Sequence, residues 1–87
     1  MREDYGVAAF RSRQQVLRLE AALRRQGVPV SVVSTPRDIS MGCGLSVRFA
    51  LEQAQTVRQA LRGVNGGNLI GLYRAEYDGR QLRLRGL

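Results

Sequence analysis

The chain predicts an α+β domain in which two amphipathic helices lie on one face of an antiparallel sheet, in the order β-α-β-β-α-β followed by a C-terminal hairpin. Three observations carry this. Short valine- and leucine-rich runs alternate with two segments of helical periodicity. No linker or repeat separates them, and at 87 residues with 44% apolar content the chain reads as one domain spanning 1–87 with enough apolar surface for a core. Asp78-Gly79 then marks a two-residue hairpin between apolar runs.

Each element has a local reason. Tyr5 to Phe10 is short and apolar, a first strand. Ser12-Arg13-Gln14-Gln15 reads as a capping box that opens a helix, with Gln15 reaching back to the cap. Val16, Leu19 and Leu23 recur at i, i+3 and i+7 beside Ala22, and Glu20 and Arg24 form an i, i+4 pair on the opposite side. Gly27 supplies a left-handed stop. Val28 to Ser34 is a valine-rich second strand, and Thr35-Pro36 suits the N-cap and first position of a single helical turn. Leu45, Val47 and Phe49 alternate with Ser46 and Arg48, the pattern of a half-buried third strand. A second helix runs from Leu51 to Arg62 on Ala54, Val57 and Leu61, poorly capped because Ala50 and Leu51 offer no side-chain acceptor. Asn65 to Asn68 is a loop, Leu69 to Tyr77 a strand, and Gln81 to Arg85 a return strand that alternates leucine and arginine. This order is the split βαβ, ferredoxin-like sandwich with a hairpin appended. Its second sheet face is left without a helix. Val7, Ala9 and part of the valine run would line that face, which favours a homodimer through it.

Composition excludes several classes of function. The net charge is +7, every basic residue is arginine, and histidine is absent. One cysteine forms no internal disulfide and no zinc site of the finger type, so neither metal nor cofactor is expected, and a reducing cytoplasm is the natural compartment. No apolar run reaches the ~20 residues of a membrane span, and Met1-Arg2-Glu3-Asp4 does not open a signal peptide. The arginines are scattered rather than blocked, so Arg18, Arg24, Arg25, Arg58 and Arg62 read as solvated helix faces. The carboxylates show no paired spacing for acid–base work, and the tyrosines read as packing residues.

The lone thiol, Cys43, sits in Met41-Gly42-Cys43-Gly44, just before the third strand in the loop 35–44. Gly42 and Gly44 permit a tight turn that presents the sulfur and turns amide groups toward it. Arg37 and Arg48 are the nearest cations in sequence, and Thr35 and Pro36 shape the loop; together these favour thiolate. Asp38 opposes them, unless it caps the turn from Thr35. The residues leave two readings open: a small buried hydrophobe, or a reactive sulfur. Protease-type catalysis is excluded because no histidine can serve as base, and the domain is not expected to be an enzyme. Persulfide carriage, thiol exchange and redox sensing all survive.

Phe10-Arg11-Ser12, the helix through Leu23, Gly27-Val28-Pro29-Val30, Thr35-Pro36-Arg37-Asp38-Ile39-Ser40, Cys43-Gly44-Leu45 and Arg48-Phe49 together resemble the selenium/sulfur carrier protein-like family. The resemblance covers residues 5 to about 77. Its most specific element is the Pro-Arg-Asp-Ile-Ser segment followed by Cys-Gly and an apolar strand. It implies that Cys43 is the carrier residue, and that the partners are donor and acceptor proteins of sulfur or selenium transfer. The chain departs from the family pattern in the apolar opening of its second helix and in the added hairpin of residues 78–87. Two rival readings have other sources. One is a regulatory or assembly domain that binds a ligand or protein and has a structural cysteine. The other is nucleic-acid binding, disfavoured because Leu45, Val47 and Phe49 stand where stacking aromatics would be wanted.

Overall fold

A computed structural model of the chain describes residues 3–36, 39, 44–63 and 69–87. The elements run β1 (Glu3–Phe10), α1 (Arg13–Arg25), β2 (Val30–Ser34), β3 (Leu45–Phe49), a 3-10 turn (Leu51–Gln53), α2 (Ala54–Gly63), β4 (Leu69–Tyr77) and β5 (Leu82–Gly86). All five strands join one antiparallel sheet in the order β2-β3-β1-β4-β5. The C-terminal hairpin therefore contributes a fifth strand beyond the four of the six-element plan. Among the described residues, no helix is long and apolar enough to cross a membrane.

The core lies between the sheet and the helices. Val16, Leu19 and Leu23 of α1 and Val57 and Ala60 of α2 close over Ala8 and Phe10 of β1 and Val47 and Phe49 of β3. The predicted helical stripe is thus the buried stripe, and Glu20 and Arg24 pair at 3.2 Å on the outer side. Gly6 is fixed by packing, because a Cβ there would overlap the Phe49 ring. At the far end of α1, Gly27 takes φ +78, the Gly27 amide donates to the Arg24 carbonyl and the Val28 amide to the Leu23 carbonyl. That is a Schellman closure, with Val28 and Leu23 both buried beside it. It holds Val28 in the helix exit, so β2 begins at Val30 rather than Val28.

Four local expectations need correction. The capping box does not form: Ser12 makes no side-chain capping bond, and its carbonyl alone receives the Gln15 and Val16 amides. Gln15, only 8% exposed, turns inward and leaves Oε1 without a partner instead of reaching back to Ser12. The uncapped second helix opens as the 3-10 turn, the Gln53 amide bonding the Ala50 carbonyl at 2.9 Å, a tightening that uses an otherwise orphaned amide. In the hairpin, Tyr77 pairs with Leu82 and the Asp78 amide bonds the Gln81 carbonyl, so Gly79 and Arg80 are the two turn residues. Gly79 takes φ +98, while Asp78 flanks the turn and its Oδ1 accepts from the Arg80 and Gln81 amides at 2.8 Å. Finally, Ser46 is 0% exposed, although strand alternation placed it outward.

Candidate functional site

The register Ala9↔Ser46 runs β1 and β3 in opposite directions, so the end of β1 and the start of β3 meet at one edge of the sheet. Three described parts of the chain meet there: Arg11 and Ser12 leading into α1, the loop base at Thr35 and Gly44, and Leu69, the first residue of β4, opposite Phe10. The loop has a firm base. The Thr35 amide donates to the Gly44 carbonyl at 2.7 Å, directly beyond the Ser34↔Leu45 pair. Gly44 takes φ +80 with open space around it, so backbone conformation rather than crowding calls for glycine. The Thr35 and Ser46 hydroxyls share a hydrogen bond of 2.6 Å, which satisfies the buried Ser46 and ties the loop base to the third strand. Beyond it, the Ile39 amide donates to the Pro36 carbonyl at 3.0 Å, closing a turn where a single helical turn is expected.

Of the residues singled out for the site, Thr35, Pro36 and Gly44 therefore sit together at the loop base. Arg37, Gly42 and Cys43, and with them Asp38, lie outside the described residues. Arg48 is directed elsewhere. Its guanidinium lies 3.9 Å from the Tyr5 ring centroid and 3.8 Å from the Glu3 carboxylate. It stands four residues along β3 from Gly44, roughly 13 Å at the rise of a strand. The expectation that Arg48 flanks the loop is corrected: the Glu3 charge and the Tyr5 face draw it to the opposite end of the sheet.

A different source of positive potential occupies the loop's end. The N-terminus of the 13-residue α1 opens at this edge with no side-chain cap from Ser12 and no acidic residue in its first turn. Its first-turn amides and dipole favour an anion, and Arg11 and Arg13 stand exposed beside them. Sequence reasoning missed this because the helix start and the loop are more than twenty residues apart and meet only through the β1–β3 register. It missed Ser46 for a related reason: alternation gives the face of a residue but not what covers it. Among the described residues, two hollows of about 160 and 350 Å³ lie at the opposite end, around Tyr77 to Arg83 and around Tyr5, Pro29 and Arg48. Among the described residues no cluster of three or more metal-ligating side chains occurs.

The fold and the site define a small α+β domain whose loop, pinned at both ends, carries the chain's single cysteine. The family model described as Putative Se/S carrier protein-like matches residues 5–73, well over half of the chain, and the protein belongs to that family. No curated protein and no solved structure matches the chain.

Proposed function

We propose that the protein is a sulfur or selenium carrier that uses Cys43 to accept a sulfane sulfur or selenium and hand it to an acceptor protein. The observation that carries this reading is that the family match runs through the pinned loop bearing the only thiol. In the accepting step the Cys43 thiolate attacks the terminal sulfur of a donor persulfide. A new sulfur–sulfur bond forms as the donor's own bond to that atom breaks, the donor leaves as a thiolate, and Cys43 holds the persulfide. An acceptor thiolate then repeats the exchange on Cys43, so electrons balance and no external oxidant is needed. A selenium atom in the terminal position follows the same path. The protein acts here as a stoichiometric carrier and not as an enzyme.

Three features support the reading. The Thr35–Gly44 closure and the Thr35–Ser46 bond limit how far the loop ends can separate. The α1 mouth favours an anion at the same end of the sheet, which helps keep a thiol ionised at neutral pH. A lone thiol without a disulfide partner suits a reducing cytoplasm. We also read β1 to β4 with the two helices as a ferredoxin-like sandwich to which β5 is appended. The test is mass spectrometry after incubation with a cysteine desulfurase and its substrate. A sulfur adduct is expected on the Cys43 peptide and is absent from Cys43→Ser. A free, alkylatable Cys43 that gains no sulfur would overturn the proposal.

A further inference from the structure

The hairpin of β4 and β5 points its apolar side away from the helices. Through the register, Leu82 pairs with Tyr77 and Leu84 with Ala75, and these share a face with Tyr5, Val7 and Tyr73 of the neighbouring strands. Ala8, Phe10 and Leu72, on the opposite face, are the residues that meet the helices. The charged residues of the hairpin, Arg74, Glu76, Arg83 and Arg85, lie on that helix side and form the Arg74–Asp4 and Arg85–Glu76 pairs at 3.0 and 3.4 Å. A hairpin whose outer face met only water would alternate the other way, with leucine toward the core and arginine outward. The inversion gives the helix-free face an outer layer of half-buried Tyr5, Tyr73, Leu82 and Leu84 above the buried Val7, Ala9 and Ala75, and that outer layer is what a partner would cover.

We propose that a second copy of this chain covers it, sheet against sheet. Charge identifies the occupant. The chain carries +7, yet the charged side chains on the described part of this face are Glu3 and Arg48, which already pair with each other. A face with no net charge brings two strongly basic copies together without opposing like charges, and it offers an acidic protein no free cation. For a nucleic acid, one of the face's stacking surfaces is already taken, because the Tyr5 ring is covered by the Arg48 guanidinium at 3.9 Å. Size is compatible: the molecule measures 35 × 27 × 18 Å, so a broad face is of the same order as the roughly 800 Å² per partner of a standard interface. Two such sheets pack about 10 Å apart, leaving the loop edge at Gly44 on the rim. Self-association is independent of the sulfur-carrier reading.

Sedimentation analysis of the full chain should give twice the 9.7 kDa monomer mass at micromolar concentration, with tighter association as salt screens the two positive copies. Leu84→Arg and Val33→Arg should each give a folded monomer; Val33, opposite Ser46 on β2, lies on the same face as Leu84 but on a different strand. On dilution of the wild type, the methyl resonances of Leu82, Leu84 and Val33 should shift while those of Leu17, on α1, stay fixed. A wild type monomeric at millimolar concentration overturns the proposal. So does a dimer in which both folded variants persist, or in which Leu17 shifts and the face does not. Face resonances that respond to a single-stranded oligonucleotide but not to dilution would overturn it in favour of nucleic acid.

Discussion

Thr35 and Ser46 show how much rests on two hydroxyls. Ser46 is wholly buried and its bond to Thr35 spans 2.6 Å, so neither group can lose the other without cost. Thr35→Val should leave the Ser46 hydroxyl unsatisfied and lower stability by roughly 1–3 kcal/mol, read from urea unfolding. Adding Ser46→Ala should recover much of that loss, because removing both partners removes the orphan. A double variant less stable than Thr35→Val would contradict this. Gly44 is the complementary case: its positive φ was legible as a glycine between an apolar strand and a loop, because conformational freedom is a property of the residue itself. Gln15 was not legible. A glutamine three residues after a serine signals a reciprocal cap, but the side chain turned inward with its oxygen unpartnered, and nothing in the local sequence announces that choice.

At the scale of elements, the uncapped start of α1 is the feature with most consequence. Ser12 already has extended backbone angles suited to a cap, φ −114 and ψ 125, yet its side chain makes no capping bond. Ser12→Asp should stabilise the helix by ~0.3–1 kcal/mol through the dipole. It should also place a negative charge at the edge shared with the loop, raising the Cys43 thiol pKa and slowing its alkylation at neutral pH. An alkylation rate that stays the same while the helix gains stability would separate the thiol from the α1 mouth. The hairpin turn gives a second prediction. The Gln81 and Arg80 amides that donate to the Asp78 carboxylate, with Arg83 nearby, hold its pKa below the ordinary aspartate value. A depressed carboxylate contributes above its unfolded value, ~3.9, and the contribution is lost as pH falls through the folded value. The amide resonances of Arg80 and Gln81 should therefore titrate together with a midpoint below ~3.9; a midpoint at or above it would refute the turn geometry.

For the whole molecule, the distribution of charge and apolar surface decides how it meets partners. Among the described residues, Arg74, Arg83 and Arg85 lie on the helix side of the hairpin, while the helix-free face holds tyrosines, leucines and the Arg48–Glu3 pair. If that face joins two copies, the melting temperature should rise with protein concentration, as it does for any fold stabilised by association. The valine run and Val7 and Ala9 pointed to this face from the sequence. Val7 and Ala9 prove fully buried, and Tyr5, Tyr73, Leu82 and Leu84 form the accessible layer instead. Alternation gives the face of Val7 and Ala9 but not their exposure.

Periodicity and turn chemistry were enough to settle the run of elements, because each depends on contacts within a few residues: the α1 stripe, the Gly27 stop and the exact span of β4 were all readable. The resemblance to the family was readable as well, in segments such as Pro-Arg-Asp-Ile-Ser and Cys-Gly, and the family model over residues 5–73 bears it out. The tertiary structure alone decided which distant groups share an edge or a face. It moved Arg48 away from the loop to Tyr5 and Glu3, brought the α1 N-terminus to the loop's end, and turned the leucines of β5 from the helices. Those outcomes depend on strand register, and register is a sum of long-range contacts that no local stretch of the chain contains.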